Sequence, residues 1–158
     1  MKPLYYGTIN SLAVGFSKVA GPSAYPEADK ALDAASPNAV LRSGAVFAAG
    51  SIIEATAFAA AQFRVPNHST LHVYRIDMAP LHSAPMAVVH ELEKRVADGG
   101  VIDQLVREYW NPTGKWHFTE ILGTEFTIIE EVPAASEADI YTLRYIRYGQ
   151  DQDRAKSF

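Results

Sequence analysis

The stretch Ala45-Val46-Phe47-Ala48-Ala49-Gly50-Ser51-Ile52-Ile53-Glu54-Ala55-Thr56-Ala57-Phe58-Ala59-Ala60-Ala61-Gln62-Phe63 compresses a strand, a turn and a helix into about twenty residues. Residues 45–49 form an apolar run of strand length, and Gly50 ends it. Ser51-Ile52-Ile53-Glu54 has the spacing of a capping box, in which the hydroxyl and the carboxylate satisfy backbone N–H groups left free at a helix start. The helix that follows, to about Arg64, is rich in alanine, and its small side chains let it lie close on a sheet.

Working outward, Leu4-Tyr5-Tyr6-Gly7-Thr8 reads as a short strand, since aromatic residues favour extended structure. Residues 9–25 are rich in Gly, Ser, Ala and Pro and read as a loop. Residues 26–35 predict a helix with Pro26 at its first position, broken by Ser36-Pro37-Asn38. Downstream, 70–78 alternates as a strand, and 86–98 has helical spacing and stops at Gly99-Gly100. A second helix runs from about 101 to 109, followed by the turn Asn111-Pro112-Thr113-Gly114. Residues 116–122 and 125–132 read as extended segments around Gly123, and 140–147 as a final alternating strand. Strands toward both ends with helices between them predict an α+β fold, one domain over 1–148 and a polar tail over 149–158.

Composition narrows the function. The 158 residues carry 14 Lys+Arg against 18 Asp+Glu, a formal charge of -4, which argues against holding nucleic acid mainly by charge. With no cysteine there is no disulfide framework and no Cys nucleophile. No apolar run reaches membrane-spanning length, and Met1 to Gly7 lacks the apolar core of a secretory signal, so the expectation is a cytoplasmic protein without a membrane partner. Of His68, His72, His82, His90 and His117 only His68 and His72 stand four apart, and they straddle the start of the strand read over 70–78 instead of sharing a helix; His90-Glu91 lacks the second histidine of a zinc-protease helix, so no metal is expected. Gly50-Ser51 sits where a hydrolase nucleophile would, but Ala49 and Ile53 break the Gly-x-Ser-x-Gly pattern. Rossmann and Walker phosphate loops are missing.

Three remaining pieces carry chemistry. Tyr5-Tyr6-Gly7-Thr8 puts a glycine, open to close approach, among aromatic hydroxyls. Phe47-Ala48 leads into the helix capped by Ser51. Residues 117–129 hold two acids, Glu120 and Glu125, whose odd spacing sends them to opposite faces unless a bulge at Gly123 resets the register.

Read in order, these pieces resemble the ADP-ribosyltransferase superfamily. Leu4 to Thr8 looks like the opening Tyr-His-Gly-Thr strand of many members, with Tyr6 in the place of the histidine. Ala45 to Phe63 is similar to the second strand and helix of rifamycin-modifying and poly-ADP-ribosylating members. Thr119-Glu120-Ile121-Leu122 resembles the Glu-hydrophobic-Leu element of DNA-modifying bacterial toxins, and Thr124-Glu125-Phe126-Thr127-Ile128 the Asn-Glu-Tyr-Ile-Val element of the poly-ADP-ribosylating branch.

The resemblance implies a split β-sheet with flanking helices, and NAD as substrate. It places Tyr5, Tyr6, Gly7, Thr8, Phe47, Ala48 and Ser51 around NAD, with Glu120 first and Glu125 second as the catalytic carboxylate. Tyr109, Trp110, Lys115 and Trp116 fall where such enzymes hold an acceptor loop. The implied activity is transfer of ADP-ribose to a protein or nucleic acid, as in a toxin or phage-conflict enzyme that a partner protein would neutralise. The alternatives are an NAD-cleaving hydrolase, an RNA 2′-phosphotransferase-like enzyme, or a non-catalytic binding or immunity module, which the missing histidine favours.

Overall fold

A computed structural model describes residues 2–65, 70–114, 116 and 118–148, the last six of these in backbone only. Among the described residues the fold is mixed α and β, built from two antiparallel sheets and five α-helices. Strands β1 (Leu4–Thr8), β4 (His72–Asp77), β7 (Glu125–Val132) and β2 (Ser17–Val19) lie side by side in that order. Strands β3 (Val46–Ala48), β6 (Thr119–Gly123) and β5 (His82–Pro85) form the second sheet. The helices are α1 (Pro26–Ala34), α2 (Ile52–Phe63), α3 (Met86–Ala97), α4 (Asp103–Trp110) and α5 (Glu137–Tyr148).

The two sheets meet at one pair of residues. Tyr5 N donates to Ala49 O at 2.9 Å and Ala49 N donates to Tyr5 O at 2.8 Å. They also share one continuous stretch of chain, because β6 ends at Gly123 and β7 begins at Glu125. A Cβ on Gly123 would lie 2.5 Å from Met78 Cγ, so any side chain there must displace Met78 where the chain passes from one sheet to the other. What separates Glu120 from Glu125 at this glycine is a change of sheet, not a bulge.

Alternation along each strand sorts the core. Val46 and Ala48 turn toward the four-stranded sheet and pack with Tyr74, Ile76, Phe126 and Ile128. Leu122 turns the other way, into a layer with Ala28 and Leu32 of α1, Val88, Val89 and Leu92 of α3, and Tyr109 of α4. Glu120, two residues before Leu122 on β6, shares that face.

Helix α2 is seated by its cap and by a glycine. Ser51 Oγ accepts from Glu54 N at 3.1 Å as the predicted cap, while the Glu54 carboxylate accepts from the Ser51 hydroxyl at 3.1 Å and from Thr119 N at 3.2 Å, so the cap also ties α2 to the start of β6. Gly7 lies directly under α2: a Cβ there would sit 2.3 Å from the Ala55 carbonyl oxygen and 2.9 Å from Ala59 Cβ. Gly7→Ala therefore forces β1 and α2 apart, at a cost of about 1–3 kcal/mol in urea unfolding. A cost within 0.5 kcal/mol of zero would show that this contact is not tight.

Two expectations are corrected. Residues 9–25 are not all loop, since Ser17–Val19 forms β2 against β7. Residues 137–148 form helix α5, not a strand over 140–147. Ser136 Oγ accepts from Asp139 N at 3.1 Å, and Glu137 and Asp139 occupy the first turn, where the helix dipole favours acids. Ile140 then anchors the helix against Ala57 and Phe118. The polar tail at 149–158 lies outside the described residues. Among the described residues, no helix is long and apolar enough to cross a membrane.

Candidate functional site

A cavity of about 480 Å³ opens where the sheets part. It is lined by Tyr5, Tyr6 and Gly7 of β1, by Phe47 and Ala48 of β3, and at its inner end by Asp29, Arg42 and Glu120. Lys18 reaches it from β2, and Tyr25, Ser43 and His90 from the helical side.

The inner end is a buried ionic cluster. Glu120 is only 3% exposed, and so are Asp29 and Arg42. Arg42 Nε donates to Glu120 Oε1 and Arg42 Nη2 to Glu120 Oε2, both at 2.9 Å, a bidentate fork. The Tyr109 hydroxyl donates to Glu120 Oε1 at 2.7 Å. On its other side, Arg42 Nη1 donates to Asp29 Oδ1. The guanidinium also lies over the Phe47 ring, 4.6 Å from its centroid, and 5.7 Å from that of Tyr25. Tyr25 and His90 are joined through the hydroxyl and Nε2 at 2.8 Å.

Local structure explains each placement. Arg42 opens a 3-10 turn, Arg42–Gly44, whose backbone is fastened to α1 by Arg42 N donating to Asp33 Oδ1 at 2.7 Å. Asp29 sits on α1 beside the fully buried Ala28. Phe118 holds a left-handed backbone (φ 53) and is fully buried just ahead of β6, while its carbonyl accepts from Met86 N at 3.2 Å. That bend directs the chain into β6 with Glu120 facing the helices.

Burial and charge shift the titrating groups. Burial pulls the Arg42 guanidinium down, but the Glu120 carboxylate more than offsets this and holds it well above its ordinary range. Burial, then the Glu120 charge, push the Tyr109 hydroxyl far up, so it acts as a neutral donor. Burial raises the Tyr6 phenol as well, against a hydrogen bond with Thr8.

Of the two acids singled out from the sequence, the structure brings Glu120 to the cavity. Glu125 opens β7 in the other sheet, exposed and opposite Val19. Tyr5, Tyr6, Gly7, Phe47 and Ala48 gather at the cavity, while Thr8 is buried and accepts from Asn10 N at 3.2 Å. Ser51 is occupied as the cap of α2. The residues placed at an acceptor loop divide between a helix end and the stretch after it. Tyr109 and Trp110 end helix α4, Tyr109 beneath Glu120 and Trp110 with Nε1 donating to Leu32 O at 3.0 Å. Trp116 Nε1 donates to Glu108 Oε1 at 2.9 Å, and Lys115 lies outside the described residues.

Asp29 and Arg42 escaped the sequence reading. Each left a signal: an acid between apolar Ala28 and Leu32 on an amphipathic helix, and a single arginine between Val40-Leu41 and the strand Val46–Ala48. Among the described residues, no group of three or more His, Asp or Glu could hold a metal ion, and His68 and His117 lie outside them. No protein-family model matches the chain, and neither a curated protein nor a solved structure matches it.

Proposed function

We propose that this chain is an ADP-ribosyltransferase-like enzyme that cleaves NAD at the nicotinamide ribose and passes ADP-ribose to a macromolecular acceptor, in a toxin-like role. One observation carries the reading. The three segments that resemble the superfamily, far apart in sequence, converge on one cavity, and the first-choice carboxylate lies at its inner end.

The geometry suits the chemistry. Tyr5 spends its backbone N–H and C=O on Ala49, so Gly7, two residues on, aims its own in the same direction, past the point where the sheets part. Those groups suit a primary amide such as that of nicotinamide. Tyr5 offers a ring for stacking, whereas one face of Phe47 is covered by Arg42.

In the reaction, the bond from C1′ of the ribose to the pyridinium nitrogen breaks, and its electron pair leaves with neutral nicotinamide. The ribose passes through an oxocarbenium-like state. Glu120 stabilises that developing charge, an interaction stronger in the transition state than in the ground state. An acceptor nucleophile then bonds to C1′ and gives up its proton to solvent.

The bidentate grip of Arg42 on Glu120 favours a second reading, a module that binds NAD without turning it over. Incubation with adenine-labelled NAD and a cell lysate decides between the two. Transferase activity predicts free nicotinamide together with label in protein or nucleic acid; a binding module predicts neither.

A further inference from the structure

The inner end of the cavity holds two carboxylates, Asp29 and Glu120, around one guanidinium, Arg42. Tyr25, Tyr109 and His90 add hydroxyls and a ring nitrogen, and at the edge of the cluster Asp33 and Glu93 accept from the backbone N–H groups of Arg42 and Ala28. Arg42 and Glu120 balance each other through their bidentate pair, so Asp29 brings the surplus charge. Asp29 is 3% exposed and lines the cavity, and its Oδ1 is bonded to Arg42. Its Oδ2 is buried with no hydrogen-bond partner among the described residues. A buried carboxylate oxygen in that condition is costly, and a donor or positive charge brought by a ligand relieves it.

Lys18 enters from the other sheet, on the strand that pairs with β7, so the lining also offers a cation. We infer that Asp29 makes the inner end of the cavity a subsite for a cationic group of the ligand. The inference rests on the ADP-ribosyltransferase reading, under which that group is the pyridinium ring of oxidised NAD and the lysine is left to the diphosphate.

Calorimetric titration tests it with the full chain and two dinucleotides that differ in ring charge. The wild-type protein binds NAD+ at least about tenfold more tightly than NADH, and Asp29→Asn brings the two within about twofold. Asn keeps an oxygen for Arg42 and leaves the Arg42–Glu120 pair neutral, so this variant is expected to fold; a thermal melt checks that. A competition on the wild-type protein needs no variant: the 1-methylnicotinamide cation displaces bound NAD+ at about a tenth of the concentration that neutral nicotinamide requires. Equal binding of NAD+ and NADH, equal potency of the two competitors, or an unchanged preference in folded Asp29→Asn overturns the Asp29 subsite and leaves the transferase reading standing. Failure of the wild-type protein to bind either dinucleotide overturns both.

Discussion

Arg42→Met is expected to be the most destabilising single change at the site. It removes the guanidinium that bridges Asp29 and Glu120 and leaves two carboxylates buried side by side. Breaking a buried ion pair by deleting one partner costs about 3–5 kcal/mol, because the remaining charge is neither hydrated nor matched. For a domain of this size that lowers the melting temperature by roughly 6–20 °C. The variant also loses the cation over Phe47. Arg42→Lys recovers part of the loss, since an ammonium restores the charge but not the fork. Urea unfolding gives the number. An Arg42→Met protein within 1 kcal/mol of the wild type would mean that the cluster is not buried as described.

Glu120→Gln carries the largest expected effect on activity. The amide keeps the shape and can still accept from Arg42 and Tyr109, and Arg42 keeps its ion pair with Asp29. The fold should therefore survive while the charge facing the ribose disappears. Nicotinamide release from NAD falls at least about 100-fold, the scale on which preorganised electrostatic groups act. Glu125→Gln, on the exposed first residue of β7, leaves release unchanged. Full release in folded Glu120→Gln would remove Glu120 from the chemistry, and loss only in Glu125→Gln would transfer the role. Arg42 shapes this expectation, since its single positive charge is shared by Glu120 and Asp29 and leaves the cluster with one surplus negative charge.

The sequence was most legible where local chemistry and tertiary packing agree. The run Ala45 to Phe63 is a strand, a turn and a capped helix, because Ser51 and Glu54 write the helix start into the chain. Glu120 and Glu125 were singled out together as acids in extended segments, and only the resemblance ranked Glu120 first; the fold buries Glu120 and leaves Glu125 exposed. Strand β2 was hidden: its three residues, Ser17-Lys18-Val19, have little pattern of their own and are extended because β7 pairs with them.

Helix α5 was misread because Ile140, Tyr141 and their neighbours alternate like a strand. The stronger signal was local, Ser136 followed three residues later by Asp139, which caps the helix. The ionic cluster was illegible for a different reason. Asp29, Arg42 and Glu120 come from a helix, a turn and a strand, and no sequence period links them. The pattern carried a helix to about Tyr109, while the resemblance put Tyr109 and Trp110 at an acceptor loop; both close helix α4, and Tyr109 supports Glu120 from below.

The central claim is that the cavity between the sheets is where NAD sits. Amide chemical shifts of isotope-labelled wild-type protein, followed while NAD is added to millimolar concentration, test it most directly. The account predicts perturbations concentrated at residues 5–7, 42–49 and 120, which border the cavity. Shifts confined to the exposed end of β7 around Glu125, or none at all, would contradict it.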